Sequence, residues 1–173
     1  RREIPWWHPR ALKLLLLDWL GLLWAHVIIT DTDAHKRYFA SWWGIDGRKM
    51  HTLYLGVNNA FFHPLPSPQK DHILVFFYGK YIPLQGVPKI VEAARLLADE
   101  PSIRFRLLGS GQDSQKVKEL VTRYGLRTVE FIGRVPFAEL NASMADADIV
   151  LGIFGDAAKA SRAIPNKVYD GLA

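Results

Sequence analysis

Apolar and polar positions follow two alternating patterns after residue 71. Short apolar runs, typical of buried strands, occupy residues 73–78, 104–108, 129–132 and 149–154. Between them, apolar residues recur at helical spacing over 87–97, 114–124 and 136–144, and a further helix is predicted from residue 165 onward. This order predicts an α/β fold with a doubly wound parallel sheet, in which ligands lie beyond the carboxyl ends of the strands.

The first 30 residues contain a dense apolar stretch at 12–24 that Lys13 and Asp18 interrupt. A membrane-spanning helix needs roughly 20 apolar residues with few charges, so a span is not predicted. Two interpretations remain: a buried or half-buried helix that leads into a strand at 26–30, or an interfacial segment that contacts a membrane. The basic and aromatic residues that favour membrane contact are Arg1, Arg2, Arg10, Lys13, Trp6, Trp7 and Trp19.

Residues 61–70 carry three prolines and predict a linker between two domains. We expect 1–60 to end an N-terminal domain and 71–173 to begin a C-terminal one. The chain opens without Met and stops inside a predicted helix, so we expect it to be a fragment.

Composition narrows the chemistry. The 173 residues include no Cys, which excludes disulfides and thiol nucleophiles. The net charge is +5, and the basic residues are interspersed with acidic ones along the whole chain. Nucleic acid is therefore not an expected partner, and the excess of positive charge indicates a mild attraction for anions.

The four loops that follow the predicted strands hold most of the functional information. In the first, Gly79 and Lys80 suit an anion, although an ordinary turn has the same composition. The second contains Gly111 but has Ser114 where a dinucleotide motif has its third glycine, which makes an NAD site a weak interpretation. The third, 133–136, is typical of an ordinary turn.

The fourth loop, 155–165, is longer than a strand-to-helix connection requires. With Lys159, Arg162 and the helical amides near 165–167 it predicts a diphosphate cradle, the alternative being a mobile surface loop with solvated charges. Earlier in the chain, Asp31-Thr32-Asp33 is either a metal-binding pair or a helix cap, and the cap is the commoner use.

Several ordered motifs together resemble those of the retaining GT-B glycosyltransferases, particularly family 4. The resemblance covers essentially the whole chain and rests on residues 27–32, 55–58 with 62–64, 77–80 with 85–87, 108–111, 131–135 and 147–151. It implies a Rossmann-like GT-B fold, with 1–60 as the tail of the acceptor domain and 71–173 as the truncated first part of the donor domain.

The resemblance also implies the reaction. A hexose would pass, with retention, from a nucleoside diphosphate sugar to a glycan or lipid-linked acceptor, in cell-surface glycan or glycolipid synthesis. We expect a cytoplasmic enzyme, at the inner face of the membrane if residues 1–24 touch lipid, with no metal and no other cofactor. No catalytic residue is assigned within the chain, and the isolated fragment is expected to be inactive.

Donor-binding positions carry over residue by residue. Lys80 matches the residue that contacts the diphosphate, Gly111 and Val135 fall in turns near the base, and Asp170 matches the ribose-binding Glu. The full predicted set is Gly79, Lys80, Gly111, Val135, Lys159, Asn166, Lys167 and Asp170.

The chain also departs from the family pattern. Gln85 replaces a second basic residue, Asp170 is shorter than Glu, and Arg162 stands where the first Glu contacts the donor sugar. These departures leave the sugar open. They also leave two alternatives: a sugar-nucleotide epimerase on the same scaffold, or a non-catalytic module that binds nucleotide sugars.

Overall fold

The computed structural model describes residue 5 and residues 7–173, so the predicted contributions of Arg1, Arg2 and Trp6 lie outside the described residues. The chain divides into two compact units, Arg1–Tyr54 and Leu55–Ala173. The predicted linker at 61–70 therefore begins inside the second unit. The assignment of the two units to acceptor and donor domains stays a prediction.

The first unit contains two helices and a small parallel sheet. Helix α1 spans Pro9–Trp24, strand β1 Ile28–Thr30, helix α2 Asp33–Trp43 and strand β2 Met50–Thr52. β1 and β2 pair in parallel, with Ile28 opposite Met50.

Helix α1 differs from the buried helix that its composition allows. None of its residues is buried, and Leu12, Leu14 and Leu16 are each more than half exposed. Within residue 5 and residues 7–173, no helix is both long and apolar enough to cross a membrane.

The Asp31-Thr32-Asp33 motif lies at the start of helix α2, where its residues cap the helix and bind neighbouring side chains. Thr32 is the N-cap, and its hydroxyl accepts a hydrogen bond from the His35 amide at 3.1 Å. Asp31 pairs with the His35 imidazole, and Asp33 accepts a hydrogen bond of 3.0 Å from the Tyr54 hydroxyl. The flanking carboxylates therefore bind neighbouring side chains, and the cap is the threonine between them.

The second unit is a four-stranded sheet with helices on both faces. Its elements are β3 (Ile73–Lys80), α3 (Val87–Leu96), β4 (Ile103–Ser110), α4 (Ser114–Arg123), β5 (Val129–Ile132), α5 (Leu140–Met144), β6 (Ile149–Val150) and α6 (Asn166–Leu172). The strand order is β5-β4-β3-β6 and all three pairings are parallel. The predicted α/β parallel fold is confirmed.

Each face of this sheet carries a hydrophobic core. Adjacent residues of β3 serve opposite faces: Phe77 packs with Val91 of α3 and Val117 of α4, whereas Phe76 packs with Leu140 of α5. Phe76 and Phe77 are both fully buried, as expected for the continuous apolar run of a strand covered on both sides.

Two predicted elements of the second unit are shorter in the structure by more than one residue. Only Ile149 and Val150 pair as a strand, because beyond Leu151 the chain leaves β3 and the amides of Phe154 and Gly155 bond the turn at Leu84 and Gln85. The predicted helix 136–144 begins with one turn of 3-10 helix before α5. Both irregular segments lie near the carboxyl ends of the strands, next to the turns that follow β3 and β5.

Candidate functional site

Two glycines face each other where β3 and β4 end. Gly79 and Gly109 occupy the same register position, with φ of 145° and 125°. A Cβ on Gly109 would lie 2.0 Å from the Gly79 carbonyl oxygen, so only glycine allows this approach. Backbone without side chains therefore forms the floor of this end of the sheet.

A cavity of about 480 Å³ opens above these glycines. Its volume lies within the usual range of small-molecule sites. It is lined by Tyr78, Gly79, Lys80, Leu108, Gly109, Ser110, Arg134, Val135, Phe137, Leu140, Asn166 and Asp170.

Five of the eight predicted donor-binding residues line this cavity. They are Gly79, Lys80, Val135, Asn166 and Asp170. They come from the end of β3, the turn after β5 and helix α6, which are far apart in sequence. The parallel topology brings them to one edge, as the sequence predicts for ligand-binding residues of such a sheet.

The other three predicted residues lie elsewhere. Gly111 sits against the backbone of Tyr81, where a Cβ would come within 2.5 Å of the Tyr81 carbonyl oxygen, so its glycine serves packing. Lys159 is exposed in the 155–165 loop and does not line the cavity. Lys167 is buried, and its amine donates a hydrogen bond of 2.6 Å to the Gln85 side-chain oxygen.

The Asp170 carboxylate is oriented by a neighbour on the sheet. The Tyr78 hydroxyl donates a hydrogen bond to Asp170 Oδ2. Burial, followed by the bond to this carboxylate, raises the pKa of Tyr78 well above its usual value, so the phenol stays protonated and remains a donor. Among the described residues none donates a hydrogen bond to Oδ1, which can therefore accept one from a ligand.

Sequence reasoning did not select Tyr78 and Arg134. Tyr78 ends the apolar run of β3, where an aromatic residue is typical of a core strand. Arg134 lies in a turn interpreted as ordinary, yet its Nε donates to Ser110 Oγ at 3.1 Å and its side chain borders the cavity. Lys80 and Arg134 together give the mouth of the cavity positive charge.

The arrangement suits a ligand with three chemically different parts. Lys80 and Arg134 favour an anion, the Asp170 carboxylate favours hydroxyl donors, and the apolar wall of Val135, Phe137 and Leu140 favours a flat ring. Within residue 5 and residues 7–173, no group of three or more metal-ligating side chains is gathered together.

Known proteins match this chain in sequence and in fold. The family described as "Glycosyl transferases group 1" matches residues 59–152. The probable glycosyltransferase WbjE of Pseudomonas aeruginosa is 29% identical over 102 residues, which are 56% of this chain and 24% of that protein. The chain thus spans about a quarter of that relative's length.

Solved structures share the fold at lower identity. Sucrose-phosphate synthase from Thermosynechococcus elongatus superposes with a TM-score of 0.66 at 22% identity, over 80% of this chain and 37% of that one. Anabaena Alr3699/HepE, solved in complex with UDP-glucose, gives a TM-score of 0.63 at 18% identity, over 82% of this chain and 41% of that one.

Proposed function

The chain belongs to the glycosyl transferases of group 1, and from this membership we propose that the complete protein transfers a hexose from a nucleoside diphosphate sugar to a glycan or lipid-linked acceptor. The observation that carries the proposal is the cavity at the carboxyl ends of β3 and β4. It combines a glycine floor, two cations and an oriented carboxylate.

We assign the parts of the donor to the parts of the cavity. Lys80 and Arg134 bind the diphosphate, Asp170 Oδ1 accepts from a ribose hydroxyl, and Val135 with Phe137 covers the base. The amide of Asn166, which also borders the cavity, is placed to bond the diphosphate or the sugar. The HepE complex with UDP-glucose supports a ligand of this class on a related fold.

The charges also suit the chemistry. Cleavage of the bond between the sugar and the diphosphate leaves negative charge on the leaving oxygen. Cations held where that charge develops stabilise the transition state more than the ground state. The transfer proceeds with retention of anomeric configuration in this proposal, in keeping with the resemblance to family 4, and needs no metal.

A donor screen tests the proposal. The complete protein is incubated with UDP-, GDP-, ADP- and dTDP-hexoses and an extract of lipid-linked and free glycans, and the released nucleoside diphosphate and the labelled product are measured. We expect release that depends on the acceptor. Conversion of the sugar without an acceptor would instead indicate an epimerase, and no turnover with any donor would contradict the proposal.

Helix α1 supports a second part of the proposal, which concerns location. Six of its eight leucines are exposed, Trp7 and Trp24 are 65% and 77% exposed, and Arg10 and Lys13 lie on the same segment. Exposed leucine and tryptophan next to basic residues are typical of helices that lie in a membrane surface. We propose that α1 contacts the inner face of a membrane, where a lipid-linked acceptor is available.

Cosedimentation of the complete protein with anionic vesicles measures this contact. The double variant Leu14→Asp, Leu17→Asp should lose most of the binding, since each buried aliphatic side chain contributes about 1.5 to 3 kcal/mol. Leu96→Asp, at a leucine 75% exposed in α3, is the matched control and should bind like the parent. Equal binding by all three proteins would exclude α1 as the contact.

A further inference from the structure

Within residue 5 and residues 7–173, Lys167 is the one buried residue among the lysines, arginines, aspartates and glutamates. It lies in the first turn of α6 and is 5% exposed. None of the ion pairs formed by the described residues involves it, and its single hydrogen-bond acceptor there is the neutral Gln85 side chain, at 2.6 Å.

Aromatic rings complete the surroundings of the Lys167 amine. Nζ lies 3.9 Å from the centre of the Phe77 ring and 5.4 Å from that of Tyr78. These π faces and one amide oxygen offset part of the cost of burying an ammonium, but they do not replace a carboxylate. Burial accordingly lowers the pKa of Lys167 to about 7.

The amine lies beside Gly79, a residue of the cavity floor, although Lys167 itself does not line the cavity. A Cβ on Gly79 would come within 3.0 Å of Lys167 Nζ, and Gly79 itself lines the cavity. Because Gly79 has no side chain, the amine approaches the Gly79 backbone closely, and a ligand bound at Gly79 would lie near the amine. An anion there would provide the counter-charge that the fold does not.

The titratable groups on the surrounding elements do not provide that charge. On β3 they are Tyr78, a protonated phenol, and Lys80, a second cation. On α6 the carboxylate is Asp170, which accepts the Tyr78 hydroxyl and forms no ion pair with Lys167 in the described chain. The turn before α3 contributes the neutral Gln85.

We propose that Lys167 gains a proton when the donor diphosphate binds, so that it becomes the second ammonium of the anion site, with Gln85 as its positioning residue. The inference rests on the proposed function, because it needs an anion on the Gly79 floor. The balance is simple: the neutral amine takes one proton from solvent and becomes an ammonium, and no other bond is made or broken.

The coupling between proton uptake and nucleotide binding predicts how affinity changes with pH. The proton affinity of Lys167 is low in the free protein and higher beside the diphosphate, so binding takes up a proton at pH values above the free pKa. Affinity should therefore fall as the pH rises above about 7, by up to roughly tenfold per pH unit, and should be flat with respect to this group at lower pH.

Calorimetry measures the proton directly. UDP, GDP, ADP and dTDP are titrated into the complete protein at about pH 8 in buffers of different ionisation enthalpy, and for the nucleotide that binds, the slope of the observed heat gives the number of protons taken up. We expect close to one. Binding with the same heat in every buffer would overturn this inference and leave the proposed function standing, whereas no binding of any nucleotide would overturn both.

Three variants separate Lys167 from other proton sources. Lys167→Met keeps an unbranched side chain on the Phe77 ring and should abolish the uptake, with binding at pH 6 weaker by about tenfold to a hundredfold, the usual cost of one charge-assisted hydrogen bond. Lys80→Met, the matched control at an exposed lysine, should also weaken binding but keep the uptake. A Lys167→Met protein that still takes up the proton would contradict the assignment.

Gln85→Glu provides a test that does not remove the lysine. A carboxylate 2.6 Å from the amine keeps the ammonium charged in the free protein, so uptake at pH 8 should disappear while Lys167 is still present. Uptake unchanged in this variant would show that position 85 does not control the amine.

Discussion

Both ends of the four-stranded sheet carry a cavity. The charged side chains are paired with carboxylates at one end and lack such partners at the other. At the amino ends of the strands a cavity of about 610 Å³ is bordered by Arg106, which donates to both carboxylate oxygens of Asp146 at 2.9 Å and to Glu130 at 3.0 Å. Lys70 on the same wall pairs with Asp148 at 2.7 Å. At the carboxyl ends the cavity is smaller, about 480 Å³, and within the described chain neither Lys80 nor Lys167 has a carboxylate partner.

This difference separates charges that are paired within the fold from charges that we propose bind a ligand. An arginine that already binds two carboxylates has few donors left for an anion, although the exposed Arg104 and Arg127 also border the amino-end cavity. A buried lysine without a counter-ion is unfavourable in the free protein and becomes favourable when an anion arrives. Cavity volume alone would select the amino end, opposite the proposed site.

The largest effect that the comparison predicts is on turnover at the carboxyl end. Lys80→Ala should lower kcat/KM of the complete protein by about 100-fold to 1,000-fold, because removing one donor aimed at a developing anion costs about 2.7 to 4 kcal/mol. Steady-state kinetics with the identified donor measure this loss. The free energy of unfolding should change little, since the Lys80 side chain is exposed.

Lys118→Ala on α4 is the matched control for Lys80→Ala. It removes the same charge from an exposed lysine outside the cavity and should leave turnover unchanged. An equal loss in the two variants would show that net charge, not position, determines turnover, and the distinction between the two ends of the sheet would fail.

At the amino end of the sheet, a substitution should lower stability and leave turnover unchanged. Asp146→Asn weakens the two-point contact with Arg106, and we expect the free energy of unfolding to fall by about 1.5 to 3 kcal/mol, the usual range for hydrogen bonds to charged groups. Chemical denaturation of the complete protein measures the change, and kcat/KM at a temperature where the variant stays folded should match the parent. A fold as stable as the parent's, with impaired turnover, would assign the Arg106 cluster to function instead.

The sequence predicted the fold well where local patterns decide it. The apolar run of β3 requires burial on both faces, the helical spacing of α3 and α4 requires burial of one face of each helix, and a parallel sheet follows from how such units connect. The strand order β5-β4-β3-β6 comes from the structure. The end of β6 was predicted too long because, after the Leu151 amide bonds the Phe76 carbonyl, the chain leaves the sheet and the amide of Phe154 bonds the turn at 84–85. Periodicity cannot distinguish these partners.

The site was predictable in part for a related reason. Gly79 and Lys80 could be placed at one edge because strand ends converge there, whereas Asp170, on α6, was assigned from the resemblance to the glycosyltransferase family. The burial of Lys167 could not be predicted, because lysine is ordinarily exposed and its partner Gln85 lies 82 positions away. The bond from Tyr78 to Asp170 spans 92 positions and was missed in the same way.

The smallest predicted effect concerns that bond. Tyr78→Phe keeps the ring over which the Lys167 amine lies but removes the hydroxyl that orients the Asp170 carboxylate. We expect KM for the donor to rise about twofold to tenfold, equivalent to about 0.5 to 1.5 kcal/mol, with kcat nearly unchanged, because a ribose contact is made equally in the ground and transition states. Tyr81→Phe is the control: its hydroxyl donates to the Leu107 carbonyl at 3.0 Å inside the core, so it should lower stability and leave KM unaltered. A fall in kcat for Tyr78→Phe at unchanged KM would place the tyrosine at the reacting bond, and the position of the ribose in the cavity would then have to be reversed.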